Sequence, residues 1–171
     1  MREEWTLPLS SRSSFAVDSL FFSSMSDSQR ILFLCTGNYY RSRFAEELYN
    51  HLAIERGLDW VANSAALNEA FGRTVNVGSL SVHTVQALAE RGITPRAQSK
   101  MPRQLDPMEM AHYDRVIALS ESEHKPMLAD LHPELVDQVE FWTVEDLHLY
   151  GPEVAIPAIE AQVRAMFAEQ C

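Results

Sequence analysis

The sequence predicts an α/β domain of three layers, a four-stranded parallel sheet held between two layers of helix. Three observations lead there. Four short runs, residues 31–34, 60–65, 116–119 and 139–142, have the length and apolar character of buried strands. Stretches with apolar residues at helical spacing lie between and after them, and this alternation asks for right-handed crossovers and a doubly wound sheet. Finally, 171 residues without a repeat or a linker suit one domain with a sizeable core.

Residues 1–29 carry Glu3, Glu4, Asp18 and many serines, which is poor signal-peptide chemistry. They read as a flexible or loosely packed extension to a domain over 30–171, with a short amphipathic segment available at 15–22 and Met25 as an alternative start. The first strand, 31–34, ends at Cys35, and Gly37 then permits a turn that other residues resist. Ser42 is the expected cap of a helix over 43–56, whose Phe44, Ala45, Leu48 and Leu52 share an inward face and which Gly57 ends. The second strand is 60–65, and residues 67–80, with Gly72 and Gly78, read as a loop. Ser79 or Ser81 caps the next helix, with Val82, Val85 and Leu88 inward and Gly92 at its end. Pro95, Pro102 and Pro107 keep 94–112 irregular or shortly helical. After the last two strands, Ile156, Ile159, Val163, Met166 and Phe167 define a final helix with Pro157 in its first turn.

Charge narrows the partners. Asp and Glu number 24 against 14 Lys and Arg, a net charge of −10, which weighs against nucleic acid and anionic membrane. Only a locally positive pocket draws in a phosphate, so a small or neutral-flanked phosphoester suits this surface. No apolar run has the length to cross a bilayer, and a cytoplasmic location is expected. The two cysteines, Cys35 and Cys171, make no disulfide framework, and Cys171 at the terminus reads as a bystander. His51, His83, His112, His124, His132 and His148 form no compact metal spacing, so neither metal nor any other cofactor is expected.

The chemistry concentrates in Cys35-Thr36-Gly37-Asn38-Tyr39-Tyr40-Arg41-Ser42. Alone, a cysteine at a strand end is core. Followed by five residues, an arginine, a serine and a helix, it sits where curled amides and a helix N-terminus form an anion cradle. Those surroundings favour a thiolate, Arg41 offers a planar fork to two oxygens of a tetrahedral anion, and Ser42 can hold the thiolate through its hydroxyl. The pattern reads as phosphoryl transfer through a cysteinyl-phosphate. Loops beyond strand C-termini share a rim, so residues 143–152 are expected to supply the proton for the leaving oxygen. Asp146 is the expected acid, Glu145 its adjacent competitor, and His148 and Tyr150 further pocket residues.

Residues 31–46 also resemble the signature of the low-molecular-weight protein tyrosine phosphatase family, through Cys35, Gly37, Asn38, Arg41, Ser42, Ala45 and Glu46. Fainter similarity runs through 64–66, 92–93, 103–105 and 113–117, and the resemblance covers about residues 30 to 170. It implies a phosphatase I-like fold, Cys35 as nucleophile, Arg41 as phosphate clamp, Ser42 as thiolate partner, Asn38 as the residue that shapes the loop and an aspartate acid on a late loop. Thr36, Gly37, Asn38, Tyr39, Tyr40 and Arg41 then bind the substrate phosphate.

The departures from that pattern are specific. Leu147 stands where a proline usually follows the acid. Tyr40 replaces the second cysteine of many relatives, which removes a vicinal disulfide and argues against an arsenate reductase. Tyr39 either walls the pocket or packs on the following helix. Arg43, in place of a common proline, either adds positive field at the entrance or is solvated; Ser99 and Lys100 stand where relatives often carry a histidine. The expected activity is metal-independent hydrolysis of protein phosphotyrosine. The alternatives are a phosphoarginine or small-molecule phosphatase, or a weakly catalytic module that binds phosphate or phosphopeptide.

Overall fold

The computed structural model describes residues 28–168. Met25, Cys171 and all but the end of the expected 1–29 extension lie outside the described residues. Four strands, β1 Gln29–Cys35, β2 Trp60–Ala66, β3 Arg115–Ala118 and β4 Glu140–Phe141, form one parallel sheet in the order β2-β1-β3-β4. The helices are α1 Arg41–Glu55, α2 Glu69–Val75, α3 Val82–Glu90, α4 Glu121–Leu131 and α5 Pro152–Ala168, with 3-10 turns at Pro107–His112 and Pro133–Gln138. The four expected strands and the layered α/β architecture are present.

The period of two along β1 divides its side chains between two cores. Ile31 and Phe33 join Phe44, Leu48, Leu88, Ile159 and Val163 under α1, α3 and α5. Leu32 and Leu34 face the other way, against Leu105, Met110, Val116 and Leu128. Every residue of Ile31 to Leu34 is fully buried, as a central strand covered on both faces requires.

Four local expectations are corrected. Ser42 is not a cap: α1 starts at Arg41 with Tyr40 at the N-cap, and the Ser42 hydroxyl is used elsewhere. Residues 67–80 are not all loop, because Asn68 caps α2 by accepting the Phe71 N–H. Pro157 lies inside α5, since that helix begins at Pro152. Gly37 is not the residue in the left-handed region; Asn38 is, at φ 51°, a conformation Asn tolerates better than most side chains. Gly37 serves a close approach instead. A Cβ on Gly72 of α2 would stand 2.8 Å from the Gly37 Cα, so two glycines bring α2 backbone to backbone against the loop after β1.

Candidate active site

Parallel strands carry their C-terminal ends to one edge, and three segments meet there. The loop of residues 36–40 follows β1, Ser120 and α4 follow β3, and residues 142–151 follow β4. Leu67 N–H bonds to Cys35 O and Asn68 N–H to Thr36 O, each at 2.9 Å, which ties the loop to the β2 side. Val144 N–H bonds to Leu119 O at 2.8 Å and ties the 142–151 segment to the end of β3.

A cavity of about 450 Å³ opens at this edge. Cys35, Thr36 and Arg41 line it together with Glu123 and Asp146, and so do Tyr39, Tyr40, Phe71, Val75, Leu147 and His148. Cys35 is buried, 3% exposed, with its Sγ 3.0 Å from the Ser42 Oγ. Asn38 Nδ2 donates to Ser42 Oγ at 3.1 Å and to Ser64 Oγ at 2.7 Å. Because the Ser42 oxygen accepts from Asn38, its own proton is free to point at the Cys35 sulfur. The chain continues outward, since Ser64 donates to Glu46, which pairs with Lys100 Nζ at 3.0 Å. Asn38 Oδ1 accepts the Arg103 N–H at 3.1 Å and so locks the loop to the segment after the third helix.

Arg41, 2% exposed, bonds Val144 O through Nη1 at 3.1 Å. Its Nη2 lies 2.9 Å from Glu123 Oε2 and 3.5 Å from Asp146 Oδ2. Thr36 donates its hydroxyl to the same Glu123. Thus Cys35, Arg41 and Asp146 come together at one cavity, while Ser42 and Asn38, both fully buried, lie behind its lining. Glu145 does not share it: its carboxylate takes the hydroxyls of Ser120 at 3.0 Å and Ser122 at 2.7 Å. His148 lines the cavity, whereas Tyr150 is exposed and outside the lining.

Tyr39 does wall the cavity, and its hydroxyl donates to Val77 O at 2.7 Å. Tyr40 is buried, and burial, then the Asp146 charge, pushes its hydroxyl up to about 12. Arg43 is neither solvated nor at the entrance. It is fully buried and donates to Ser79 O, Lys100 O and Ala97 O at 3.2, 2.8 and 2.6 Å, while Glu46 lies 3.6 Å from its Nε. These contacts offset a cation in the first helical turn and fasten the 97–100 segment to α1.

Glu123 and His124 were not legible from the chain. The one available signal was Ser120-Glu121-Ser122-Glu123 after the third strand, which reads as a capping box. Ser120 does accept the Glu123 N–H at 3.3 Å, but the Glu123 carboxylate turns to Arg41 rather than back to the cap. His124 is fully buried; Ser120 N–H donates to its Nδ1 at 3.0 Å, which places the ring proton on Nε2. Burial, reinforced by the Arg41 charge, lowers it to about 3.

The sign of that shift sets an acid weakness. Between about pH 6.5 and 3 the unfolded chain protonates His124 while the folded protein does not, so stability falls as pH falls, by up to about 1.4 kcal/mol per pH unit. His124→Gln is expected to flatten this part of the curve. Urea unfolding of both proteins from pH 7 to pH 4 measures the difference in slope.

Among the described residues no group of three or more His, Cys, Asp or Glu side chains is placed to hold a metal, and no helix is long and apolar enough to cross a membrane.

Residues 30–150 match the family described as low molecular weight phosphotyrosine protein phosphatase. None of the curated proteins matches the chain. Among solved structures, a low molecular weight protein tyrosine phosphatase from T. tengcongensis is similar at TM-score 0.67 and 26% identity, over 82% of this chain and 99% of that one. YfkJ from Bacillus subtilis is similar at TM-score 0.70 and 21% identity, over 85% and 96%. The drosophila arginine phosphatase DARP follows at 0.64 and 21%, over 82% and 96%.

Proposed function

Starting from the fact that the chain belongs to the low molecular weight phosphotyrosine protein phosphatase family, we propose that it hydrolyses phosphotyrosine in proteins through a cysteinyl-phosphate, without a metal. One observation carries this reading: Cys35 Sγ lies 3.0 Å from the Ser42 Oγ, which accepts from Asn38 and so has its own proton free for the sulfur, and Cys35 lines one cavity with Arg41 and Asp146.

The Cys35 thiolate attacks phosphorus and forms the S–P bond as the P–O bond to the phenol breaks. Arg41 and the N–H groups of the loop carry the charge of the equatorial oxygens. Asp146 gives its proton to the departing phenolic oxygen. In the second step a water oxygen bonds to phosphorus, Asp146 takes up the water proton, and the S–P electron pair returns to sulfur. Ser42 then donates to the regenerated thiolate, which makes sulfur a better leaving group. Tyr39, Tyr40 and Phe71 supply walls for an aryl group.

Phosphate release from phosphotyrosyl, phosphoseryl and phosphoarginyl peptides in the presence of a chelator tests the reading. Turnover of the phosphotyrosyl peptide above the other two is expected. Preference for phosphoarginine would move the substrate to the P–N class with the same nucleophile, and loss of all turnover to the chelator would overturn the metal-free mechanism.

A further inference from the structure

Arg41 stands between two carboxylates, Glu123 and Asp146. Both two-point faces of a guanidinium, the Nε–Nη2 side and the Nη1–Nη2 end, include Nη2. In this structure Nη2 faces three carboxylate oxygens: Glu123 Oε1 at 3.2 Å, Glu123 Oε2 at 2.9 Å and Asp146 Oδ2 at 3.5 Å. Nη2 carries two hydrogens. Glu123 Oε1 takes the hydrogen bond from Nη2, while Oε2, though close, has no hydrogen-bond partner among the described residues, so a phosphoryl oxygen seated on either face of Arg41 meets the Glu123 charge, and the two carboxylates already outnumber the one cation.

Glu123 has somewhere else to go. His124 Nε2 is buried and has no hydrogen-bond partner among the described residues, although its Nδ1 is occupied by the Ser120 N–H and Nε2 therefore bears the proton. That unpartnered donor lies 3.7 Å from Glu123 Oε1, just beyond hydrogen-bond distance. A buried donor without an acceptor is costly, and a small rotation of the Glu123 side chain removes the deficit.

We propose that Glu123 is a two-position carboxylate that occupies the phosphate clamp and competes with substrate: it holds Arg41 and Thr36 in one position and moves onto His124 Nε2 when a phosphoryl group takes Arg41. The proposal rests on the phosphatase reading for its biological meaning and on phosphate binding alone for its test. Asp146 stays, because the leaving oxygen needs it. Glu123 thereby sets how tightly the site holds phosphate, and the charge it withdraws from the clamp keeps a dianion from being bound at its full Coulombic strength.

The probe is inorganic phosphate, titrated into the full chain. In Glu123→Gln, which keeps the side-chain size and loses the charge, phosphate is expected to bind roughly ten-fold tighter than in wild type. Binding that is weaker or unchanged in the variant overturns the proposal, because a residue that merely positions Arg41 gives one of those results. The second readout is the ¹⁵N-resolved imidazole N–H of His124, identified by its loss in His124→Gln. Phosphate is expected to shift it downfield in wild type; no shift in saturated wild type overturns the move onto His124. If these results appear in a protein that releases no phosphate from phosphotyrosyl peptide, the two-position carboxylate stands and the catalytic reading falls. If neither protein binds phosphate, both fall.

Discussion

Cys35→Ser is expected to reduce phosphate release from phosphotyrosyl peptide by about 10⁴-fold or more, the scale on which loss of an enzymic nucleophile is felt. The serine hydroxyl fits the same place beside the Ser42 Oγ, so the loop and its phosphate affinity are expected to survive. What is lost in the proposed mechanism is the sulfur nucleophile: a hydroxyl is a far weaker acid than a thiol, and beside another hydroxyl it has no base to take its proton. Steady-state kinetics together with phosphate binding separate the two effects. Activity must vanish while binding persists.

Asp146→Asn carries the second large effect. The amide can neither give a proton to the phenolic oxygen nor take one from water, so kcat is expected to fall by roughly 10² to 10⁴-fold. The loss is expected to shrink with aryl phosphates whose phenol is a good leaving group, because these need the proton least. Glu145→Gln separates the neighbours. Its carboxylate serves Ser120 and Ser122, so weakening it is expected to loosen the start of α4 and lower stability by about 1 kcal/mol, without the leaving-group dependence. Rates on a series of aryl phosphates check both variants.

The loop after the first strand was legible because its parts are neighbours along the chain. Cys35, Arg41 and Ser42 follow one apolar strand and open one helix, so spacing alone brings them to one loop. The strands were legible for a related reason, since runs such as Ile31 to Leu34 are buried on both faces and show it in composition. What hid was whatever tertiary contact decides. The second helix carries Phe71 and Val75 exposed and a glycine at its centre, so it shows no inward stripe and reads as loop; its place is fixed by the Gly37 and Gly72 backbones meeting. Arg43 looked like a surface cation because a charge pattern does not reveal three carbonyls arriving from residues 79, 97 and 100. Glu123 and His124 belong to a helix about 80 residues beyond Arg41, and only the parallel sheet brings that helix to the same rim.

The central claim is that phosphate passes through a covalent bond to Cys35, and trapping that bond tests it most directly. Asp146→Asn mixed with phosphotyrosyl peptide, quenched within one turnover and analysed by mass spectrometry is expected to carry one phosphoryl group on the peptide containing Cys35, because the second step also lacks its proton acceptor. Steady phosphate release with no phosphoryl group on Cys35 at any quench time, and with turnover unimpaired in Cys35→Ser, would contradict the account.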